Sequence, residues 1–244
     1  MVRSTMILTF GLLIWSCAPG SGDRPSALHP PEVTSAVTPP ATAGTHIECE
    51  NISRVLGLAV VKVDVTTVVP LFAKPDSSGQ PVQVIRFYHD PATNSLSYRV
   101  EGKETDSRIR PKHSKVDYDI FELSVLNRRG EWLEVVVNED TGRTLWLQEN
   151  QTVKFKDWLT VMRGSFAVES KEPKVNLLRA SPADDAKEVK LTGRGCFKVE
   201  QMRGNWIEVV QQDHCEKFEG KPAKGWLKWR DEAGCNLVSI YPFA

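Results

Sequence analysis

The chain has 244 residues, 41% hydrophobic and 25% charged, and its 31 Lys and Arg balance 31 Asp and Glu. These proportions fit a globular chain and exclude a largely disordered or multi-span membrane protein. With no net charge and no basic run, nucleic acid is not an expected partner.

In chain order the first predicted element is a targeting signal, residues 1–16. Arg3 supplies a positive charge, Met6 to Trp15 form an apolar core, and Ser16-Cys17-Ala18 follow. The core falls short of the roughly 20 residues that span a bilayer as a helix, but suits a signal peptide. Leu13-Ile14-Trp15-Ser16-Cys17 resembles the lipobox of bacterial lipoproteins, in which cleavage before the cysteine leaves it acylated. The resemblance implies lipidation at Cys17 and a membrane-anchored protein on the periplasmic side of a bacterial cell envelope. Ala18 favours the outer membrane over the inner where both exist. Ordinary secretion with a free Cys17 is the alternative.

Residues 17–46 are expected to form a disordered linker, because six prolines among Ser, Thr, Ala and Gly leave too little apolar surface to offset ordering. Fully extended at ~3.1 Å per residue, this leash reaches about 90 Å. Beyond it lie Cys49, Cys196, Cys215 and Cys235. An even number in an oxidising compartment favours disulfides, with zinc at Cys196, His214, Cys215 and Cys235 as the rival. Cys196 begins the predicted strand before the Arg203-Gly204 turn, and Cys215 ends the strand after it. These two are therefore expected to pair, leaving Cys49 for Cys235, although Cys196 falls opposite Gln211 or Gln212 and a bulge or loop bend must close the gap.

From Ile47 onward the sequence predicts an all-β fold. Short β-branched runs alternate with turn residues, as in Leu58–Val65, Val82–Phe87, Phe121–Leu126, Trp132–Val137, Phe197–Met202 and Trp206–Gln211. A repeat links them. Arg129-Gly130-Glu131-Trp132-Leu133-Glu134-Val135-Val136 matches Arg203-Gly204-Asn205-Trp206-Ile207-Glu208-Val209-Val210, and Leu145-Trp146-Leu147 matches Gly225-Trp226-Leu227. Upstream, Leu71 aligns with Leu177, so the first copy carries an insertion near Tyr88–Asp119.

This pattern resembles the bacterial SH3 domain, in which a strand and a Pro- or Ser-containing loop precede a Gly-x-Trp strand, then Gly-Trp-hydrophobic and a closing strand. Here those parts are Leu71–Pro75 and Leu177–Pro182, Gly130-Glu131-Trp132 and Gly204-Asn205-Trp206, and Gly225-Trp226-Leu227. Thr144 replaces the last motif's glycine in the first copy, and Leu237–Tyr241 closes the second. The resemblance implies two tandem small SH3-like β-barrels, residues 47–160 (with the insertion) and 161–244. It also implies a binding role, towards peptidoglycan or an envelope protein or peptide.

Alternation puts Leu133, Val135 and Val137 on a core face, and Trp132, Glu134 and Val136 on the other; Ile207 and Val209 repeat the first set, Trp206 and Glu208 the second. An aromatic surface beside a carboxylate cradles an amine, so Trp206, Trp226, Glu208 and, less centrally, Trp132 are the expected ligand-binding residues. Packing alone is the competing role for the tryptophans. No catalytic residue, metal or cofactor is assigned: G-x-S-x-G, H-E-x-x-H and calcium-loop patterns are missing, and the five histidines are scattered. Asp117 and Asp119 share one face of a predicted strand but lack a third ligand. Two readings follow: a non-catalytic envelope lipoprotein binding peptidoglycan or a peptide, or a scaffold lipoprotein contacting other envelope proteins.

Overall fold

The computed structural model describes Glu50 and residues 52–102, 108–215, 217–218 and 220–242; the expected signal peptide and linker, with Cys17 and Cys49, lie outside these. The β-branched runs become strands β1 (Gly57–Val61), β2 (Val68–Leu71), β3 (Gln83–His89), β4 (Leu96–Gly102), β5 (His113–Lys115), β6 (Ile120–Arg129), β7 (Trp132–Asn138), β8 (Arg143–Gln148) and β9 (Val153–Asp157). A short helix, α1 (Trp158–Gly164), leads to β10 (Ala167–Ser170), β11 (Cys196–Arg203), β12 (Trp206–Gln211), β13 (Lys224–Lys228) and β14 (Val238–Tyr241). The fold is all-β. Its strands form three open antiparallel sheets, none closed into a barrel.

Two of these sheets share one topology. The first runs β8-β7-β6-β1-β9, with β5 also on β6, and the second runs β13-β12-β11-β10-β14. Their correspondence holds residue by residue. The central hairpins turn at Gly130 and Gly204, with φ of 60° and 56°, a conformation that glycine adopts without penalty. Both hairpins carry a bulge, after Val125 and after Val199. In both, a residue of the preceding loop exchanges backbone hydrogen bonds with a β8 or β13 tryptophan: Phe72 with Trp146, and Arg179 with Trp226.

The bridges correct the sequence alignment by one residue. Val82 donates to Leu71 as Val189 donates to Leu178, each at 2.8 Å. Leu71 therefore corresponds to Leu178 rather than Leu177, and both are buried. Leu145, not Thr144, stands where the second copy has glycine, because Leu145 faces Val135 as Gly225 faces Val209. A Cβ on Gly225 would sit 2.6 Å from the Arg179 carbonyl oxygen and 3.0 Å from Leu178. Asp117 lies in a 3-10 turn, Val116–Tyr118, rather than in a strand, and its carboxylate accepts from the Leu96 amide at 3.2 Å.

The alternating faces pack into two cores. Ala59, Leu71, Phe121, Leu133, Val135, Val137 and Val153 belong to the first, and Val168, Phe197, Ile207, Val209, Leu227 and Val238 to the second. β1 serves both: Ala59 and Val61 enter the first core, whereas Leu58 joins the second. A continuous apolar run, Leu58-Ala59-Val60-Val61, is what burial on both faces requires. Helix α1 seals the junction. Asp157 caps it by accepting from the Thr160 amide at 2.7 Å, and Trp158 and Met162, one turn apart, are buried. The Trp158 indole donates to the Val55 carbonyl at 2.8 Å. Arg163 donates to the carbonyl of Glu200, the residue that the bulge leaves out of the β11–β12 register. Residues 47–244 thus form one compact unit. No helix among the described residues is long and apolar enough to cross a membrane.

Candidate binding site

On the outer face of the second sheet Glu208 lies opposite Trp226 and Trp206 opposite Lys228. The chain supplies its own cations to this face. Lys228 Nζ lies 5.6 Å from the Trp206 ring centroid and the Arg203 guanidinium 5.3 Å from that of Trp226. Glu208 accepts from Gln201 Nε2 at 2.7 Å and pairs with Lys224 at 3.4 Å. Hydrogen bonding to Glu200, aided by the charges of Glu200 and Glu208, raises the Lys224 pKa. Burial works to lower that of Lys228, but hydrogen bonds to Glu232 and Asp184 outweigh it and keep the ammonium charged. Cations of the chain thus stand beside the aromatic and carboxylate groups expected to receive a ligand's amine. Trp226 is buried beneath Arg203, and Trp206 is partly exposed.

The first copy repeats this arrangement. Glu134 faces Trp146, Arg129 stacks 5.3 Å from the Trp146 ring, and Trp132 meets Phe72 edge-on at 5.3 Å. Trp146 was not singled out in the sequence, although its match to Trp226 was the available signal.

The disulfide Cys196–Cys215 is present, with the Cα atoms 6.2 Å apart. The Gln212 amide donates to the Cys196 carbonyl at 2.8 Å, and the chain bends over 213–215 to close the gap. His214 Nε2 lies 3.8 Å from Cys196 Sγ, so these three residues cluster as metal ligands do. Their sulfurs are bonded to each other, which leaves no thiolate to ligate. Cys235 is also disulfide-bonded, while Cys49 is outside the described residues. His89 and His113 do not form a pair; His113 hydrogen-bonds Glu122 at 2.8 Å.

A cleft of about 300 Å³ opens elsewhere on the second copy, between β10, β11 and the 171–195 segment. Leu177, Val189, Leu191 and Phe197 supply apolar walls, and Glu169, Glu188 and Arg194 are its charged lining residues. The sequence repeat explains its origin. Counting from the matched hairpins, Gly195 occupies the position of Phe121. In the first copy the Phe121 ring packs edge-on against Phe87 at 5.4 Å and Tyr98 at 4.9 Å, from the β3–β4 hairpin. The second copy has neither ring nor hairpin, passing from Val189 to Gly195 in five intervening residues. Phe197 takes part of the room; a Cβ on Gly195 would lie 3.0 Å from its ring.

A second exchange lies beside it. Val61 faces Val153 as Ser170 faces Val238, so Ser170 stands where the first core has a buried valine. The Ser170 hydroxyl is buried without a hydrogen-bond partner among the described residues, and the residue lines the cleft. Trp206, Trp226, Glu208 and Trp132 are not part of this lining. The insertion was legible in the sequence, but the cleft beside Gly195 in the copy without it was not.

Comparison with family models, curated proteins and solved structures found no match for this chain.

Proposed function

We propose that this protein is a non-catalytic lipoprotein of the bacterial envelope, anchored through Cys17, whose two SH3-like modules serve binding rather than chemistry. The ligand is peptidoglycan or a peptide. The observation that carries this reading is the asymmetry of a duplicated fold: one strand order occurs twice, but only the first copy fills the space beside its β1–β6 pair with Phe121 and a hairpin. A cleft with apolar walls and a few polar groups has the make-up of a ligand site. The reciprocal bonds of Phe72 with Trp146 and of Arg179 with Trp226, at the same place in both copies, support the SH3-like assignment. The outer tryptophan face is a second contact surface for an extended ligand, with Trp206 its partly exposed member.

Sedimentation with purified sacculi tests the proposal. The protein is expected in the pellet, and Trp206→Ala is expected to weaken retention with little change in melting temperature. A protein that stays in the supernatant contradicts peptidoglycan binding and favours the scaffold reading.

A further inference from the structure

We infer that the cleft of the second copy accepts an apolar group carried beside a primary ammonium. The inference rests on the second copy being the ligand-bearing one. The size of the cleft, about 300 Å³, lies at the lower end of small-ligand sites. The walls of the cleft beside Gly195 are apolar, which selects an aliphatic or aromatic side chain.

The charges lining the cleft select the sign of the polar end. Arg194 is paired with Glu169 at 2.7 Å. Glu188 has no ion pair among the described residues, although its backbone is fixed by the bridge to Arg179. Among the described residues the exposed Glu188 carboxylate thus has no cation at the rim of an apolar cleft, and it favours a ligand ammonium over a carboxylate there. The Ser170 hydroxyl offers a further partner: buried and without one of its own, it can accept from an N–H donor. A valine suffices at the same place in the closed copy. An amino-bearing apolar ligand can pair with Glu188 while its tail fills the cleft; a simple hydrocarbon leaves both polar features unmet, and an anion opposes the first.

Three probes with one tail separate these requirements: 4-phenylbutylamine, 4-phenylbutanol and 4-phenylbutyrate, titrated into the full chain and followed by amide NMR shifts. The amine is expected to bind about threefold more tightly than the alcohol, as an ion pair to an exposed carboxylate allows, and the acid more weakly than both. Shifts should centre on Ser170, Leu191 and Gly195. Glu188→Gln should erase the amine's advantage and leave alcohol affinity unchanged. Ser170→Val, which installs the first copy's residue, should weaken amine binding without unfolding the protein. Acid binding equal to amine binding, shifts centred on Trp206 and Trp226, or no saturable shift with any probe overturns the inference. Sedimentation with sacculi separates this from the broader reading. A protein that pellets but ignores the amine overturns this inference alone; one that binds the amine but does not pellet supports it and contradicts peptidoglycan as the ligand.

Discussion

Gln83 lies fully buried on β3, and neither its amide nitrogen nor its oxygen has a hydrogen-bond partner among the described residues. An unsatisfied buried amide costs about 1–3 kcal/mol. Gln83→Met is therefore expected to stabilise the protein by about 1 kcal/mol, read as a higher denaturant midpoint with unchanged slope. Glu50 makes the opposite case. Burial works to raise its pKa, but hydrogen bonds from Lys112 and Asn236 and the charges of Lys112 and Lys171 hold it at about 2. A carboxylate with a depressed folded-state pKa adds stability above its unfolded pKa near 4.5, and that stability fades as pH falls towards 2. Its partial exposure screens the gain to about 1 kcal/mol. Glu50→Gln should lower stability at pH 7 and flatten its decline between about pH 4.5 and 2. The tryptophans differ in the same terms. Trp226→Ala should cost about 3 kcal/mol by removing a buried ring, and Trp206→Ala about 1 kcal/mol or less. Alternation alone made the core faces legible: Leu133, Val135 and Val137 are fully buried as expected. It did not show that Lys224, Lys228 and Arg203 would settle beside the outer aromatics and Glu208, because those contacts depend on cross-strand register and turn geometry.

Among the elements, strands with strict alternation were readable nearly to the residue, and β12 runs over Trp206–Gln211 as the sequence predicts. Helix α1 was not. Its seven residues give hydrophobic periodicity a single repeat, Trp158 to Met162, and the capping Asp157 was the one local signal. The upstream loop alignment slipped by a residue because Leu177 and Leu178 are chemically alike, and only the backbone bonds to Val189 and Trp226 distinguish them. The disulfide was legible because an antiparallel hairpin brings its two ends together. It joins residues 19 apart in sequence, and closing such a loop stabilises by about 3 kcal/mol in the chain-entropy model. Replacing Cys196 and Cys215 together with serine should lower the melting temperature accordingly. An unchanged melting temperature would mean that β12 and β13 hold the loop without it.

Across the whole molecule the repeat suggests two beads, yet the cores share a strand. Leu58 belongs by sequence to the first copy and by packing to the second, together with Ile52 from the segment before it. Glu50 reinforces the junction through Lys112 of the first copy and Lys171 and Asn236 of the second. Residues 161–244 alone therefore lack part of their core. Leu58→Ala should cost about 2–5 kcal/mol and lower one shared unfolding transition rather than split it in two. The repeat was visible in the sequence, but this sharing was not, since Leu58-Ala59-Val60-Val61 reads equally well as any buried strand. What sets the two halves apart is the open cleft beside Gly195, and binding through it is the central claim. The most direct measurement is sedimentation with sacculi of the wild-type protein beside Leu191→Trp, which fills the cleft from its wall, at matched melting temperature. The wild type is predicted to pellet and the variant to remain in solution; equal pelleting of both would contradict binding through the cleft, and pelleting of neither would contradict peptidoglycan as the ligand.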